Sequence, residues 1–352
     1  MTVPQVDLKP EYYMPHKPAR TFKIGSVGCG NIARNAHLKA YRHMGFEVVH
    51  ACDIDEENLK LAVEEFDIPR GTLDLDELLA DPEVEIVDLA VHATQRRPLI
   101  ERIAAAGKPV FSQKPFAMSF AEAREMVEIC ERAGVPLMVN QQARWAPHHK
   151  VVRWFIDEGL LGHVFSTRHT LVSNQDREGH WFVDLENALI VDHGCHYIDL
   201  SRYFTGRTPE RVKCTTTMIP DQFAVTPMIY TMTFEYEPDA QIMSSMHFND
   251  ISYAPPLFEY EWVVDGTEGS LRVDRKTLEY AARGDEEAQT FELEGAWFPD
   301  AFGGSMAHMM DCLAIGAEPM TSGRDNLDTI RCAEAAVISS NEGRAVELSE
   351  IA

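Results

Sequence analysis

Residues 22–40, FKIGSVGCGNIARNAHLKA, constrain this chain more than any other stretch. An apolar run carrying Phe22, Ile24 and Val27 stops at Gly28, and Gly28-Cys29-Gly30-Asn31-Ile32-Ala33 then reads G-x-G-x-x-A ahead of a helical segment rich in Ala and Leu. Strand, glycine turn and helix in that order make a dinucleotide-binding βα unit. Gly28 permits the tight turn, Gly30 admits a pyrophosphate against the backbone, and the small Ala33 lets helix and strand pack closely. The diphosphate is then held by the N–H groups of the helix N-terminus, beginning at Asn31 and Ile32. A second strand run, 46–51, ends in Cys52-Asp53-Ile54, which puts an acid about twenty residues past the motif, where the ribose hydroxyls of a dinucleotide are read.

Strand and helix patterns alternate beyond Asp53. Leu59, Ala62 and Phe66 recur at helical spacing, VEIVDLAV at 84–91 is a buried-strand run, 99–106 is helical, and a strand at 109–112 leads into Gln113-Lys114-Pro115. Ser119 and Glu122 form a capping box for a helix through Arg132, and VPLMV at 135–139 is one more strand. Such alternation implies a doubly wound parallel sheet. After Asn140 the strands lengthen and alternate with period two, at 165–172, 212–218, 229–236, 242–248 and 258–264. Helical patterns occupy 147–159, 188–204, 301–315 and 326–341. The expected fold is α/β, with residues 21–140 as an N-terminal Rossmann domain. Residues 141–352 form a C-terminal α/β domain, for substrate binding and oligomerisation, with a mainly antiparallel sheet; residues 1–20 are an extension that packs on the surface or frays. In the strand at 229–236, Tyr230, Met232 and Phe234 line one face and Ile229, Thr231 and Thr233 the other. That is more apolar surface than one covering layer hides, so a second subunit is expected over it.

Lys and Arg total 32 against 56 Asp and Glu, a formal charge of −24. Such a surface repels phosphate backbones and anionic lipid and argues against nucleic-acid or membrane partners. The seven cysteines show no C-x-x-C spacing, which reads as a reduced, cytoplasmic chain. Residues 1–20 contain no apolar core of the kind a secretion signal needs, and no apolar run has the length to span a bilayer.

Three clusters beyond the glycine turn carry chemistry. Lys114 follows the strand at 109–112, on the edge of the sheet where ligands bind in open α/β folds, and Pro115 stiffens the chain beside it. On the helix at 188–204, Asp192 and His196 stand four apart on one face, a carboxylate beside an imidazole suited to general-base work. A metal site built from Asp192, His193, Cys195 and His196 is a weaker alternative, because His193 and His196 lack the H-E-x-x-H spacing, and a merely structural histidine pair is another. The third cluster, Asn140-Gln141-Gln142-Ala143-Arg144, serves either to hold cofactor or substrate hydroxyls or as struts between domains.

With these residues in place the chain resembles the glucose-fructose oxidoreductase / inositol dehydrogenase (Gfo/Idh/MocA) family. The likeness rests on the glycine turn, on Ala106-Gly107-Lys108-Pro109-Val110 leading to Lys114-Pro115, on Arg144 with Pro147, on Asp192, Gly194, His196 and Asp199, and on Gly266 to Leu271. Asp53, with no Arg or Lys adjacent, would repel a 2′-phosphate and makes NAD the expected cofactor; the resemblance implies an open antiparallel sheet in the second domain and assembly into homodimers or homotetramers. It also implies oxidation of a hydroxyl of a sugar, cyclitol, sugar acid or glycoside, with Lys114, Asp192 and His196 as the catalytic set and no metal. Cofactor contacts are expected at Gly28, Cys29, Gly30, Asn31, Ile32, Asp53, Ile54, Ala93, Arg96, Gln113, Lys114 and Gln141. Substrate contacts are expected at Lys114, Arg144, Asn174, Trp181, Asp192 and His196. Gln113 stands where the family has glutamate, and Arg96 where a histidine is common. An NAD-dependent glycosidase or lyase with tightly bound cofactor, and a non-catalytic NAD sensor, are the alternative readings.

Overall fold

The computed structural model describes residues 5–352, which divide into two compact units. The first comprises Met14–Ala146 and Gly295–Leu327; the second comprises residues 5–13, Pro147–Glu294 and Asp328–Ala352.

In the first unit six parallel strands, β1 (Ile24–Val27), β2 (Val48–Cys52), β3 (Gly71–Thr72), β4 (Ile86–Leu89), β5 (Val110–Gln113) and β6 (Leu137–Asn140), take the order β3-β2-β1-β4-β5-β6. All residues of β1, β4, β5 and β6 are buried, as expected of parallel strands covered on both faces. The strand order reverses between β1 and β4, and the crevice outside the strand ends at such a switch point is the dinucleotide site of this architecture. The helix that follows the glycine turn contains a π segment, Ala33–His37, before its regular part Leu38–Met44. It is pinned to the sheet by Asp88 of β4: His37 Nδ1 lies 2.9 Å from Asp88 Oδ2, and the Tyr41 hydroxyl donates to the same oxygen at 2.9 Å. All three side chains are buried. Burial and the Asp88 charge push the Tyr41 phenol well above its ordinary value, so it stays a donor.

The boundary expected at residue 140 needs correction, because the first unit also contains Gly295–Leu327. Phe302, Met306, Ala307, Met309 and Met310 of the helix Phe302–Ile315 belong to one buried cluster with Tyr41, Met44, Phe46 and Trp145. Gly303 allows the approach, since a Cβ there would lie 2.6 Å from Met44 Cγ.

The second unit is built on nine strands. They are β7 (Val164–Val172), β8 (Arg211–Thr217), β9 (Ile229–Glu235), β10 (Met243–Asn249), β11 (Glu259–Gly266), β12 (Gly269–Val273), β13 (Thr277–Ala282), β14 (Gln289–Glu292) and β15 (Val346–Glu347). Their order is β14-β13-β12-β11-β7-β10-β9-β8-β15, and every pair is antiparallel except β7 with β10. Tyr230, Met232, Phe234, Met246, Phe248, Trp262 and Val264 are buried on one face. This corrects the expectation for strand 229–236: the chain covers that apolar face itself. The opposite face is threonine-rich and partly open, with Phe165 and Met243 exposed. The helix Gly194–Thr205 packs against β7, and Gly194 lets it lie close to β9, since a Cβ there would meet Tyr230 Oη at 3.0 Å. Two residues of the extension pack as well: Tyr12 stacks on Trp154 with ring centroids 4.9 Å apart, and the buried Tyr13 hydroxyl accepts the Glu294 N–H at 3.2 Å.

Candidate active site

The glycine turn shows which of its two glycines the protein itself needs. Gly28 has φ of +87°, and a Cβ there would sit 2.8 Å from Val91 Cγ1, so both conformation and packing exclude a side chain. Gly30 has neither restraint: a Cβ there would find no neighbouring atom within 4 Å. A small residue at that point serves whatever approaches from outside, as a pyrophosphate does. Asn31 opens the helix, and Ala33 is fully buried beneath it.

Asp53, at the end of β2, turns its carboxylate to the turn, accepting the Cys29 N–H at 2.6 Å on one oxygen and the Asp55 N–H at 2.8 Å on the other. Each oxygen keeps lone-pair capacity for a ribose hydroxyl. Beside it Ile54 is 94% exposed, an apolar surface of the kind an adenine ring covers. The Cys29 thiol is buried against Cys52 O, and burial, helped by Asp53, pushes it up to about 12. Cys29 therefore offers its backbone rather than its sulfur.

At the ends of β5 and β6, Gln113 Oε1 accepts the Lys114 N–H at 3.0 Å and the Asn140 amide at 3.3 Å. The amide oxygen accepts both bonds without the charge that a carboxylate would carry here. Gln141 is fully buried, and both polar atoms of its amide have no partner among the described residues. Buried amides are almost always bonded, so this one at the sheet edge is suited to the polar groups of a ligand. Together with Gly30 and the Asp53–Ile54 corner, it makes the edge of β1, β2 and β6 a fit for NAD.

Two of the expected ligand contacts, Arg96 and Arg144, also make bonds within the protein. Arg96 is buried, and its guanidinium donates to Val91 O at 3.0 and 2.7 Å, to Lys114 O at 3.4 Å, to Phe116 O at 3.3 Å and to Pro115 O. It ties the chain after β4 to the loop that carries Lys114, while Ala93, on the turn before it, is buried. Arg144, also buried, donates to Met320 O at 3.2 Å and to Asp325 Oδ2 at 3.0 Å. The strut lies within the first unit and holds the returning segment against the end of β6.

In the second unit Asp192 lies in a π segment, Leu189–His193, that runs into the helix Gly194–Thr205, and His196 on that helix is buried. His193 has a partner that spacing could not reveal: its Nδ1 lies 2.6 Å from Oδ2 of the fully buried Asp250, just past β10. Asn174 forms an isolated antiparallel bridge with Ile251, the residue after Asp250, and Trp181 is half exposed on a short helical turn. Among the described residues no group of three or more His, Cys, Asp or Glu is arranged to hold a metal ion, and no helix is long and apolar enough to cross a membrane.

Comparison with known proteins shows the family. Residues 22–141 match the oxidoreductase family described as having an NAD-binding Rossmann fold, and residues 149–272 match the Gfo/Idh/MocA C-terminal domain. A D-apiose dehydrogenase of Paraburkholderia graminis is 35% identical over 349 residues, which cover 94% of this chain and 91% of that protein. An inositol 2-dehydrogenase of Rhizobium meliloti is 23% identical over 94% of this chain and all of its own. A crystal structure of an Agrobacterium radiobacter oxidoreductase in complex with NAD+, L-tartaric acid and magnesium superposes with a TM-score of 0.85 at 27% identity, covering 95% of this chain and 100% of that one. The chain belongs to the Gfo/Idh/MocA family and is an NAD-binding oxidoreductase.

Proposed function

We propose that this protein is a sugar or polyol dehydrogenase whose substrate is an aldose of the D-apiose class, oxidised at one hydroxyl. NAD, when bound, accepts the hydride from the carbon that carries that hydroxyl. His196 takes the hydroxyl proton, Lys114 donates to the substrate oxygen and offsets its developing charge, and Asp192 orients its neighbours. Gly28 to Ile32, Asp53 and Ile54 hold the adenosine diphosphate half, and Gln113 and Gln141 serve the nicotinamide half. The observation that carries the reading is the joint presence of Lys114, Asp192 and His196 in a chain 35% identical to a D-apiose dehydrogenase over 94% of its length. The test is NADH formation by purified protein over a panel of D-apiose, myo-inositol, levoglucosan and a sugar acid, with His196→Ala and Lys114→Met, each with and without chelator. D-apiose is expected to give the highest kcat/KM. Either variant should lose roughly 10²- to 10⁴-fold in turnover and keep its NAD affinity, with no effect of chelator. Glycoside cleavage without net NADH, or chelator-sensitive turnover, would overturn the reading.

The oligomer we propose is a homodimer or homotetramer formed through the open face of the nine-stranded sheet, where Phe165 and Met243 are exposed. A monomer mass by light scattering at micromolar concentration would refute it. A reducing, cytoplasmic setting suits the seven cysteines, all buried and none in a disulfide.

A further inference from the structure

His193 stands on the helix that carries Asp192 and His196, and the reaction proposed above does not use it. Asp250, its partner, is itself held in place: its N–H donates to Met228 O at 2.9 Å, its carbonyl accepts the Gln175 N–H at 2.8 Å, and Oδ1 accepts the Ser173 hydroxyl. The imidazole is walled by Phe182, Tyr197 and Phe248, all edge-on to it, with ring centroids at 6.4, 5.6 and 5.6 Å. Asp250 and three aromatic rings thus surround the imidazole, yet 22% of the side chain remains exposed. Its Nε2 makes no hydrogen bond among the described residues and is not among their buried unpartnered atoms. With Nδ1–H donated to Asp250, a neutral imidazole presents Nε2 as an acceptor in a set orientation.

We propose that His193 is a specificity residue: its Nε2 accepts a hydrogen bond from the substrate hydroxyl next to the one that is oxidised. The inference rests on the dehydrogenase reading and deepens it. His193 precedes His196 by three residues, and side chains three apart on a helix are neighbours, with Cβ atoms about 5–6 Å apart. Two imidazoles at that spacing match two adjacent hydroxyls, one losing its proton to His196 and one held by His193. The substrate class is therefore a vicinal diol rather than an isolated alcohol. In an aldose oxidised at its anomeric carbon, hydride leaves carbon 1 for NAD, the proton of the carbon 1 hydroxyl goes to His196, and His193 reads the hydroxyl on carbon 2.

The experiment compares kcat/KM for D-apiose and 2-deoxy-D-apiose in the parent and in His193→Phe and His193→Asn, at saturating NAD. The parent should favour D-apiose by roughly 10- to 100-fold, because a site built around a hydroxyl rejects the analogue that lacks it. Both variants should bring that preference to within about threefold, chiefly by raising KM for D-apiose. Equal loss towards both sugars, or an unchanged preference, would overturn the proposal. Should the variants fail to fold, nitrogen NMR of parent histidines in the NADH complex decides. The Nε2 resonance of His193 should move on adding D-apiose but not the deoxy sugar, and a stationary resonance refutes the idea. Absence of NADH with every panel sugar would defeat the dehydrogenase reading, and this one with it; turnover without the carbon 2 preference would defeat this one alone.

Discussion

Gly28 and Gly30 lie two residues apart in one motif, and the structure separates their duties well enough to predict opposite outcomes for the same substitution. Gly30→Ala adds a methyl group where no atom lies within 4 Å and the backbone is not left-handed, so folding stability should stay within about 1 kcal/mol of the parent or rise slightly through the less flexible unfolded chain. Gly28→Ala forces an L side chain to φ of +87° and places its Cβ 2.8 Å from Val91 Cγ1 and 3.1 Å from the Ala90 carbonyl carbon. Left-handed strain of about 1–2 kcal/mol and overpacking of about 1–3 kcal/mol then add to a loss of roughly 2–5 kcal/mol. Cofactor affinity should follow the other order for Gly30. Its new methyl occupies the approach of the diphosphate, and losing two charge-assisted bonds of about 1.5–3 kcal/mol each would weaken NAD by roughly 100-fold or more. The assay pairs thermal unfolding without cofactor with calorimetric NAD titration of both variants. If Gly30→Ala bound NAD within threefold of the parent, the backbone at residue 30 would not be the phosphate cradle. If it unfolded more readily than Gly28→Ala, the steric argument would fail.

Asp53→Ser should raise kcat/KM with NADP relative to NAD by at least roughly tenfold, since the carboxylate that receives the ribose also repels a 2′-phosphate; parity of the two cofactors in the parent would refute this. Arg96→Met should lower stability by about 3–4 kcal/mol, or roughly 6–15 °C in Tm for a unit of this size, and reduce turnover by letting the Lys114 loop move; a Tm within 2 °C or so of the parent would remove Arg96 as a strut. Stability should also fall on both sides of neutral pH. Burial holds His148 and His169 well below their ordinary 6.5, so that contribution is complete above about pH 6.5 and is lost as pH falls, because the unfolded chain protonates first. Burial likewise pushes Cys130, Cys214 and Cys332 up to about 12 from 9.0, so their contribution is complete below about pH 9 and is lost as pH rises towards 12. Urea melts from pH 5 to 10 would show a flat profile if these groups were not buried in the native state.

What could be read in the sequence was local. The glycine turn, Lys114 at a strand end, and the helix bearing Asp192 and His196 each lie within one element, where spacing alone carries the information. Contacts made across the chain left no such mark. Arg96 bonds to backbone carbonyls about twenty residues away, and a carbonyl has no signature in the sequence. His193 and Asp250 are 57 residues apart, and Arg144 and Asp325 are 181 apart. The helix at 302–315 was recognised by its periodicity, but so much of it is apolar that no stripe indicates which core it enters. The strands β12 and β13 leave no clear alternation in the sequence, because residues such as Arg272 and Glu279 pair across the strands and dilute the apolar pattern.

That helix makes the order of synthesis matter. Tyr41, Met44 and Phe46 leave the ribosome early, but the methionines that complete their cluster, Met306, Met309 and Met310, follow more than 250 residues later. At about 5–20 residues per second the wait is tens of seconds or so, during which the half of the chain made first holds an unfinished core. A ribosome stalled after Ala146 would present that half with an open apolar surface, a target for chaperones. A fragment ending there should be recovered mainly as aggregate, whereas a chain in which Gly295–Leu327 is joined directly behind Ala146 should be soluble.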